Sequence, residues 1–432
     1  MEFHGSLRSL EATTEPIFLK KTYDEQSPSA LRRRPTAAAS QISEMAPPPQ
    51  TAALTDDLLE EIFLRIASPT DLARVCTACV SFRRLITDST FLRRYRSLHP
   101  PLLLGFLEPG PRGSFRPAEA THPNACAARA LSRAADFSFD YLPRGRRWCP
   151  HDVRDGRVLL YGIHGECPVF IDLAVCDPVS RRYLLLPPVP DELLASVQVQ
   201  KQHVLFLDAF LIPSGAEQGE ASFSVLGRAC CVSKMVALVF SSGSGHWNVG
   251  TTTSWDAPTL SAVTEDLVLE SPRSYAYGCF FWKVISRSKL LNLDINRKEL
   301  SVVDLPSDHA ERSVVIVEAG NGKLGMFSNL SHVNSDTPIY YAIRKNVGED
   351  SYEWQMSNII PLPVDYTCCF VSASGGYILL LGIPKVQGTL GPACFSLSIE
   401  TLKIERVSQM ELPYSHVYPY FGFPPFMLPR MI

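Results

Sequence analysis

In this chain of 432 residues the side chains best suited to metal binding or catalysis are cysteines and histidines, and their spacing assigns neither task to them. Cys76 and Cys79 form a Cys-x-x-Cys pair, which would be half of a zinc site or a redox dithiol. Zinc needs four ligands, and no second pair or His-x-x-x-His lies within reach in sequence. Both cysteines also sit on a helical apolar stripe, so they are expected to pack as small hydrophobes. The adjacent pairs Cys230-Cys231 and Cys368-Cys369 should point to opposite faces of a strand, which suits neither a ligand pair nor an easy disulfide.

Gly320-Asn321-Gly322-Lys323 has the outline of a phosphate loop but lacks the leading glycine and the following Ser or Thr, since Leu324 comes next. A turn before a strand over 323–327 accounts for it better. Gly243-Ser244-Gly245 lacks the five-residue frame of a nucleophile elbow. His151, His164, His203, His246 and His332 are dispersed, and no acid–base pair can be assigned. The expectation is a protein with no catalytic residue, no metal and no cofactor.

The elements that would carry any site are of two kinds. Residues 54–95 read LTDDLLEEIFLRIASPTDLARVCTACVSFRRLITDSTFLRRY, where Leu58, Leu59, Ile62, Phe63 and Ile66 recur at helical spacing. Thr55 is placed as an N-cap, with Asp56 and Asp57 in the first turn where the helix dipole favours negative charge. Ser68 and Pro69 break this helix, and Leu72, Val75, Cys76, Cys79, Phe82, Leu85 and Ile86 continue an apolar stripe until Asp88 ends it before a last turn around Phe91. The apolar face is too wide for so small a segment to bury alone, which calls for a partner.

The order of these residues resembles an F-box, the adaptor-docking module of SCF ubiquitin ligases, over about forty residues. The family pattern falls on Leu54, Asp56, Asp57, Leu58, Leu59, Ile62, Cys79, Phe82, Arg84, Leu85, Ile86 and Phe91. Thr55 stands where the family has Pro, Phe82 where it prefers Trp, and Val80 where a base is usual. Phe for Trp keeps the aromatic plug, whereas Thr for Pro keeps a cap but loosens the entry to the first helix. The resemblance implies docking on a Skp-type adaptor, and through it a cullin, by Leu54, Leu58, Leu59, Ile62, Phe63, Leu72, Val75, Phe82 and Leu85, some of which must instead hold the helices together. An ordinary helical subdomain packed on the rest of the chain is the alternative.

The hydrophobic fraction of 46%, with 20% charged residues, lets the chain build more than one core. A net charge of -3 gives no electrostatic case for nucleic acid or an anionic membrane, and Arg32, Arg33 and Arg34 form a short cluster in what reads as a solvated tail. No apolar stretch approaches the roughly 20 residues of a membrane span. The N-terminus lacks the apolar block of a signal peptide. Twelve cysteines without such a signal point to a reducing compartment, cytoplasmic or nuclear, where the sequon at Asn329 is irrelevant. Residues 1–53, rich in Ser, Thr, Ala and Pro, are expected to be disordered, and Met45 is a candidate start that would make 1–44 an upstream extension.

From about Trp148 onward, short apolar runs alternate with turn clusters, as at Val158 to Tyr161, Val204 to Phe210, Met235 to Ser241, Cys279 to Ile285, Leu290 to Asp294, Ile339 to Ile343 and Tyr377 to Leu381. FIDLAVCDPVSRRYLLLPPVP, LLNLDINRKELSVVDLP and ACFSLSIETLKIERVSQMELP each read as strand, turn, strand and a closing Leu-Pro, at Leu186-Pro187, Leu305-Pro306 and Leu412-Pro413. A looser copy closes at Leu362-Pro363, and ALVFSSGSGHWNV fits between the first two, with Trp247 in the position of the last strand. Closings roughly 50 to 60 residues apart match a four-stranded propeller blade. A pair of β-sandwiches is the competing architecture.

GCFFWKV followed by LLNLDI, with VCDPVSRRYLLLPP and VFSSGSGHW, resembles the F-box-associated β-propeller of plant F-box proteins, over about Pro101 to Ile432. The expected organisation is multi-domain: a disordered extension (1–53), a small all-α, three-helix F-box (54–98), a linker with first elements packing on the propeller (99–147), and an all-β propeller-like domain (148–432) of six blades, the first closed by the C-terminal strand. The function this implies is that of a substrate receptor, not an enzyme, with an unknown target protein held by the β domain. A non-ligase scaffold with a degenerate F-box is the alternative. A propeller enzyme or sugar-binding protein is a further rival, to be recognised by a convergent cluster of acids, His or aromatics in the central channel.

Overall fold

Thr55, Ser68, Cys79 and Asp88 each hold extended backbone and turn a side chain onto the amides of the helix that follows. These four caps start α1 (Asp56–Leu64), α2 (Pro69–Ala78), α3 (Val80–Ile86) and α4 (Ser89–Leu98) in the computed structural model. It describes residues 54–109, 115–163, 172–190, 192–193, 204–213, 222–231, 234–254, 269–330, 337–348, 351–386, 388, 390–411, 413 and 416–423. The expected disorder of 1–53, with Arg32 to Arg34 and Met45, lies outside these residues, as do His164, His203, His332 and Leu412.

Four helices stand where three were expected. The chain breaks at Cys79, whose φ of -154° and ψ of 165° end α2, and whose sulfur accepts the Phe82 amide at 3.4 Å. Cys79 is therefore an exposed cap and not a member of the buried stripe, whereas Cys76 is buried as expected.

Beyond the helices come β1 (Leu102–Leu107), β2 (Phe115–Pro117) and α5 (Ala125–Ala134), then twenty strands in four-stranded antiparallel sheets among the described residues. Blade one is β3 (Arg147–Arg154), β4 (Arg157–Ile163), β5 (Asp172–Asp177) and β6 (Arg182–Leu185). Blade two is β7 (Val204–Ile212), β8 (Ser224–Cys231), β9 (Lys234–Ser241) and β10 (His246–Ser254). Blade three is β11 (Leu269–Ala276), β12 (Cys279–Val284), β13 (Lys289–Asp294) and β14 (Glu299–Asp304). Blade four is β15 (Arg312–Glu318), β16 (Leu324–Leu330), β17 (Ile339–Gly348) and β18 (Ser351–Ile360). Blade five is β19 (Tyr366–Ser374), β20 (Tyr377–Pro384), β21 (Ala393–Ser398) and β22 (Ile404–Gln409).

The sixth sheet has the order β2-β1-β23, with β23 (Tyr418–Gly422) arriving from the other end of the chain. Strands β3, β7, β11, β15, β19 and β23 meet one another at the centre, so the fold is a six-blade β-propeller whose last blade is closed by its C-terminal strand. In the segment 99–147, expected to hold a linker and first elements packing on the propeller, β1 and β2 belong to the closing blade, and α5 packs on them. Gly105 sits at a bulge in β1, where φ is +149° and an added Cβ would lie 2.1 Å from the Arg116 carbonyl oxygen, so β2 can approach only a glycine.

The sequence repeat is the outer half of each blade. Its copies are the hairpins β5–β6, β9–β10, β13–β14, β17–β18 and β21–β22. Leu186 and Leu305 from the closing Leu-Pro pairs are buried between consecutive blades, the first beside Trp247 and the second beside Val314 and Met326. Trp247 of blade two donates its Nε1–H to the Pro187 carbonyl at 2.8 Å, and Trp354 of blade four donates to the Asp304 carbonyl at 3.2 Å. Each tryptophan thus seals its blade to the one before it while satisfying a carbonyl at a strand end.

Candidate functional site

Leu54, Leu58 and Ile62, spaced by four along α1 and its entry, stay 54%, 53% and 44% exposed. They form an apolar stripe with no cover from the described chain, where burial of each would contribute about 1.5–3 kcal/mol. Polar contacts flank the stripe and hold α1 in place. Asp56 accepts from Arg84 at 2.9 Å, and Arg94 of α4 bridges Glu60 at 2.5 Å and Glu61 at 2.8 Å.

The other predicted docking residues divide. Leu59, Val75, Phe82 and Leu85 are half-buried around the helical core. Phe63 and Leu72 are 4% and 0% exposed, so they hold the helices together and cannot meet a partner directly. Phe63 packs edge-on against Phe82 with ring centroids 5.0 Å apart. The core also includes Phe91, Tyr95 and a residue that sequence reasoning missed, Phe423, which follows the closing strand and lies 6.5 Å from Tyr95. Tyr95 donates to the Ile66 carbonyl at 2.7 Å, and the His99 ring lies tilted against that of Tyr95 at 4.2 Å.

A second cluster forms where the inner strands of blades one to three converge. Asp152 Oδ1 meets the Arg273 guanidinium at 2.5 Å and accepts from the Val153 amide at 2.9 Å, while Oδ2 accepts from the Leu211 amide at 2.8 Å. Asp208 accepts from its neighbour Ala209 at 3.0 Å, lies against His151 Nε2, and reaches Arg228 at 3.5 Å. Phe210 and Trp282 stack on these cations, with Arg273 4.0 Å from the Phe210 centroid and Arg228 4.7 Å from that of Trp282. Burial pushes the Asp208 carboxyl up, but the His151 hydrogen bond and the charges of His151, Arg228 and Arg273 outweigh it and hold the group below its ordinary range. A convergent group of acids, histidine and aromatics is therefore present, yet internal contacts engage both oxygens of each acid.

Cys368 is buried and Cys369 half-buried on one strand, and the side chains of Cys230 and Cys231 lie outside the described residues. Gly320 to Lys323 is the turn between β15 and β16, and Gly243 to Gly245 lies in that between β9 and β10. Asn329 of the sequon is buried and donates to the Cys368 carbonyl at 3.0 Å. Among the described residues no group of three His, Cys, Asp or Glu side chains could hold a metal ion, and no helix is long and apolar enough to cross a membrane.

No family model matches the chain, and no curated protein matches it. Solved structures resembling it include an oligogalacturonate lyase from Vibrio parahaemolyticus, 13% identical over 64% of this chain and 69% of that one, with a TM-score of 0.36. An oligogalacturonate lyase in complex with manganese is 10% identical over 61% of this chain and 65% of that one, with a TM-score of 0.34. Prolyl oligopeptidase B from Galerina marginata is 11% identical over 72% and 47%, with a TM-score of 0.31. The chain thus spans less than two thirds of the second and about half of the third. Likeness at this level carries no activity across.

Proposed function

We propose that this protein is the substrate-recognition subunit of an SCF ubiquitin ligase. Its helical segment, read as an F-box, docks on a Skp-type adaptor and through it a cullin, and the propeller presents a target protein for ubiquitin transfer by partner enzymes, in the cytoplasm or nucleus. The chain itself catalyses no step. The observation that carries this proposal is the exposed stripe of Leu54, Leu58 and Ile62 on a helix that buries Phe63 and Leu64 in the helical core. An amphipathic helix with an unburied apolar stripe fits a groove on a second chain. Thr55 accepts the Leu58 amide at 3.4 Å, so the residue found in place of proline still caps the helix.

The test is adaptor capture by the full-length chain. Ile62→Glu removes an anchor worth about 2 kcal/mol, so adaptor affinity falls at least ~30-fold while the melting temperature stays within a degree or two of the parent. Undiminished capture of adaptor and cullin by the variant would overturn the assignment. Capture of the adaptor without cullin would leave the scaffold alternative standing in its place.

A further inference from the structure

The ends of the inner strands of blades one to five and the residues just after them, with Phe421 of β23, surround a cavity of about 450 Å³ at one mouth of the central channel. Its wall is mostly apolar, with Pro213, Ile316, Ile399 and Phe421, and its polar groups are few: Arg154, Asp155, Tyr275, Glu318 and Ser374. That volume and that balance are those of a small-ligand site, in which one or two polar groups orient an apolar body.

The polar groups differ in what they already hold. Glu318 accepts the Tyr277 amide at 2.8 Å, and Asp155 has a partner of its own. Arg154 does not. Its Nε is buried with no hydrogen-bond partner, no ion pair to it is found among the described residues, and its guanidinium lies over the Tyr275 ring at 5.4 Å. Asp152 and Asp155 are near enough to act on it through space, yet burial outweighs both and pushes the guanidinium below its ordinary range. A half-buried arginine whose Nε is sealed without a partner is costly, and an anion entering the cavity would relieve the cost. A water-filled channel end explains the volume but not the unspent donor.

We propose that this cavity binds a carboxylate carried on an apolar body, with the Arg154 fork receiving the carboxylate and Ile316, Ile399 and Phe421 receiving the body. A planar carboxylate matches the guanidinium's parallel N–H groups. A dianionic phosphate is disfavoured, because Asp155 and Glu318 line the same cavity and would repel the second charge. The site stands independently of adaptor docking, since ligand binding is read on this chain alone.

The carboxylate could belong to a free acid or to the C-terminus of a polypeptide, and calorimetric titration of the full-length chain separates them. The probes are 3-phenylpropanoate, its amide, a pentapeptide ending in phenylalanine with a free carboxylate, and the same peptide amidated. The acid of at least one pair binds tenfold or more tighter than its amide, and Arg154→Gln abolishes that difference. Preference confined to 3-phenylpropanoate marks a small-molecule site, and preference shown by the peptide marks a chain terminus. Ile399→Trp, which fills the mouth and leaves Arg154 in place, weakens the same acid and serves as a check should Arg154→Gln lower the melting temperature. Equal binding of acid and amide, no binding of any probe, or unchanged titration by either variant would overturn the site.

Discussion

Ile62 and Phe63 are neighbours on α1, one 44% and the other 4% exposed, because each helical step turns the side chain by about 100° and carries it from the outer stripe to the core. The two positions should therefore separate stability from docking. Phe63→Ala removes a ring packed on Phe82 and is expected to cost about 3–5 kcal/mol of the helical segment's stability. Ile62→Ala should change stability by less than about 0.5 kcal/mol while still weakening adaptor capture. Urea unfolding of both variants, followed by helical circular dichroism, checks this; equal destabilisation would show that the stripe is packed in solution.

A residue-scale effect of pH is also expected. His309 is buried, with Nδ1 2.9 Å from Asp308 and Nε2 3.1 Å from Ser328. Burial lowers its proton affinity more than Asp308 raises it, so the folded protein holds the ring neutral where the unfolded chain protonates it near pH 6.5. The unfolded state then binds more protons as pH falls through that value. Stability present above about pH 6.5 is lost progressively on acidification. Thermal melts between pH 7.5 and 5.5 should show the decline, and His309→Gln should lessen it, the buried His122 supplying a further part.

Among the elements, the closing strand β23 has two duties. It pairs with β1 to complete the sixth blade, and Phe423 directly after it enters the helical core. Phe423→Ala is expected to cost about 3 kcal/mol, felt first by the helices. Hydrogen exchange should quicken in α1 and α4 and stay unchanged in blades three and four. Uniform quickening throughout would mean that the ring itself had opened. The outer hairpins act differently, since Leu186 with Trp247 and Leu305 with Trp354 tie only consecutive blades. Trp247→Phe should lose the 2.8 Å bond to the Pro187 carbonyl and cost about 1–2 kcal/mol, measurable by denaturant melts.

Over the whole molecule, the repeat, the strand texture and the caps were legible in the sequence because each is a local pattern. Thr55 announced a helix start within three residues of the amide it bonds, whereas Ser68 and Asp88, which read only as a break and as an end of the helical run, prove to be caps themselves, and the Leu-Pro closings at Leu186 and Leu305 marked the outer hairpins of blades one and three. Cys79 misled because helical spacing continued through it while its backbone did not. The segment before Trp148 hid its place in the closing blade because β1, beside its local partner β2, pairs with β23 at Tyr418 to Gly422, and pairing over so long a stretch of chain leaves no local signature. The channel groups were hidden for the same reason: His151 and Asp208 stand 57 residues apart and meet only when inner strands converge. Periodicity and capping are properties of neighbouring residues, so the amino-acid order alone determined the helical character of 54–98, the strand texture after Trp148 and the recurrence of the outer hairpins. Ring closure, the sorting of the α1 side chains into packed and uncovered, and the lone guanidinium at the channel mouth depend on which distant surfaces exclude water from one another, and only the tertiary structure decided them.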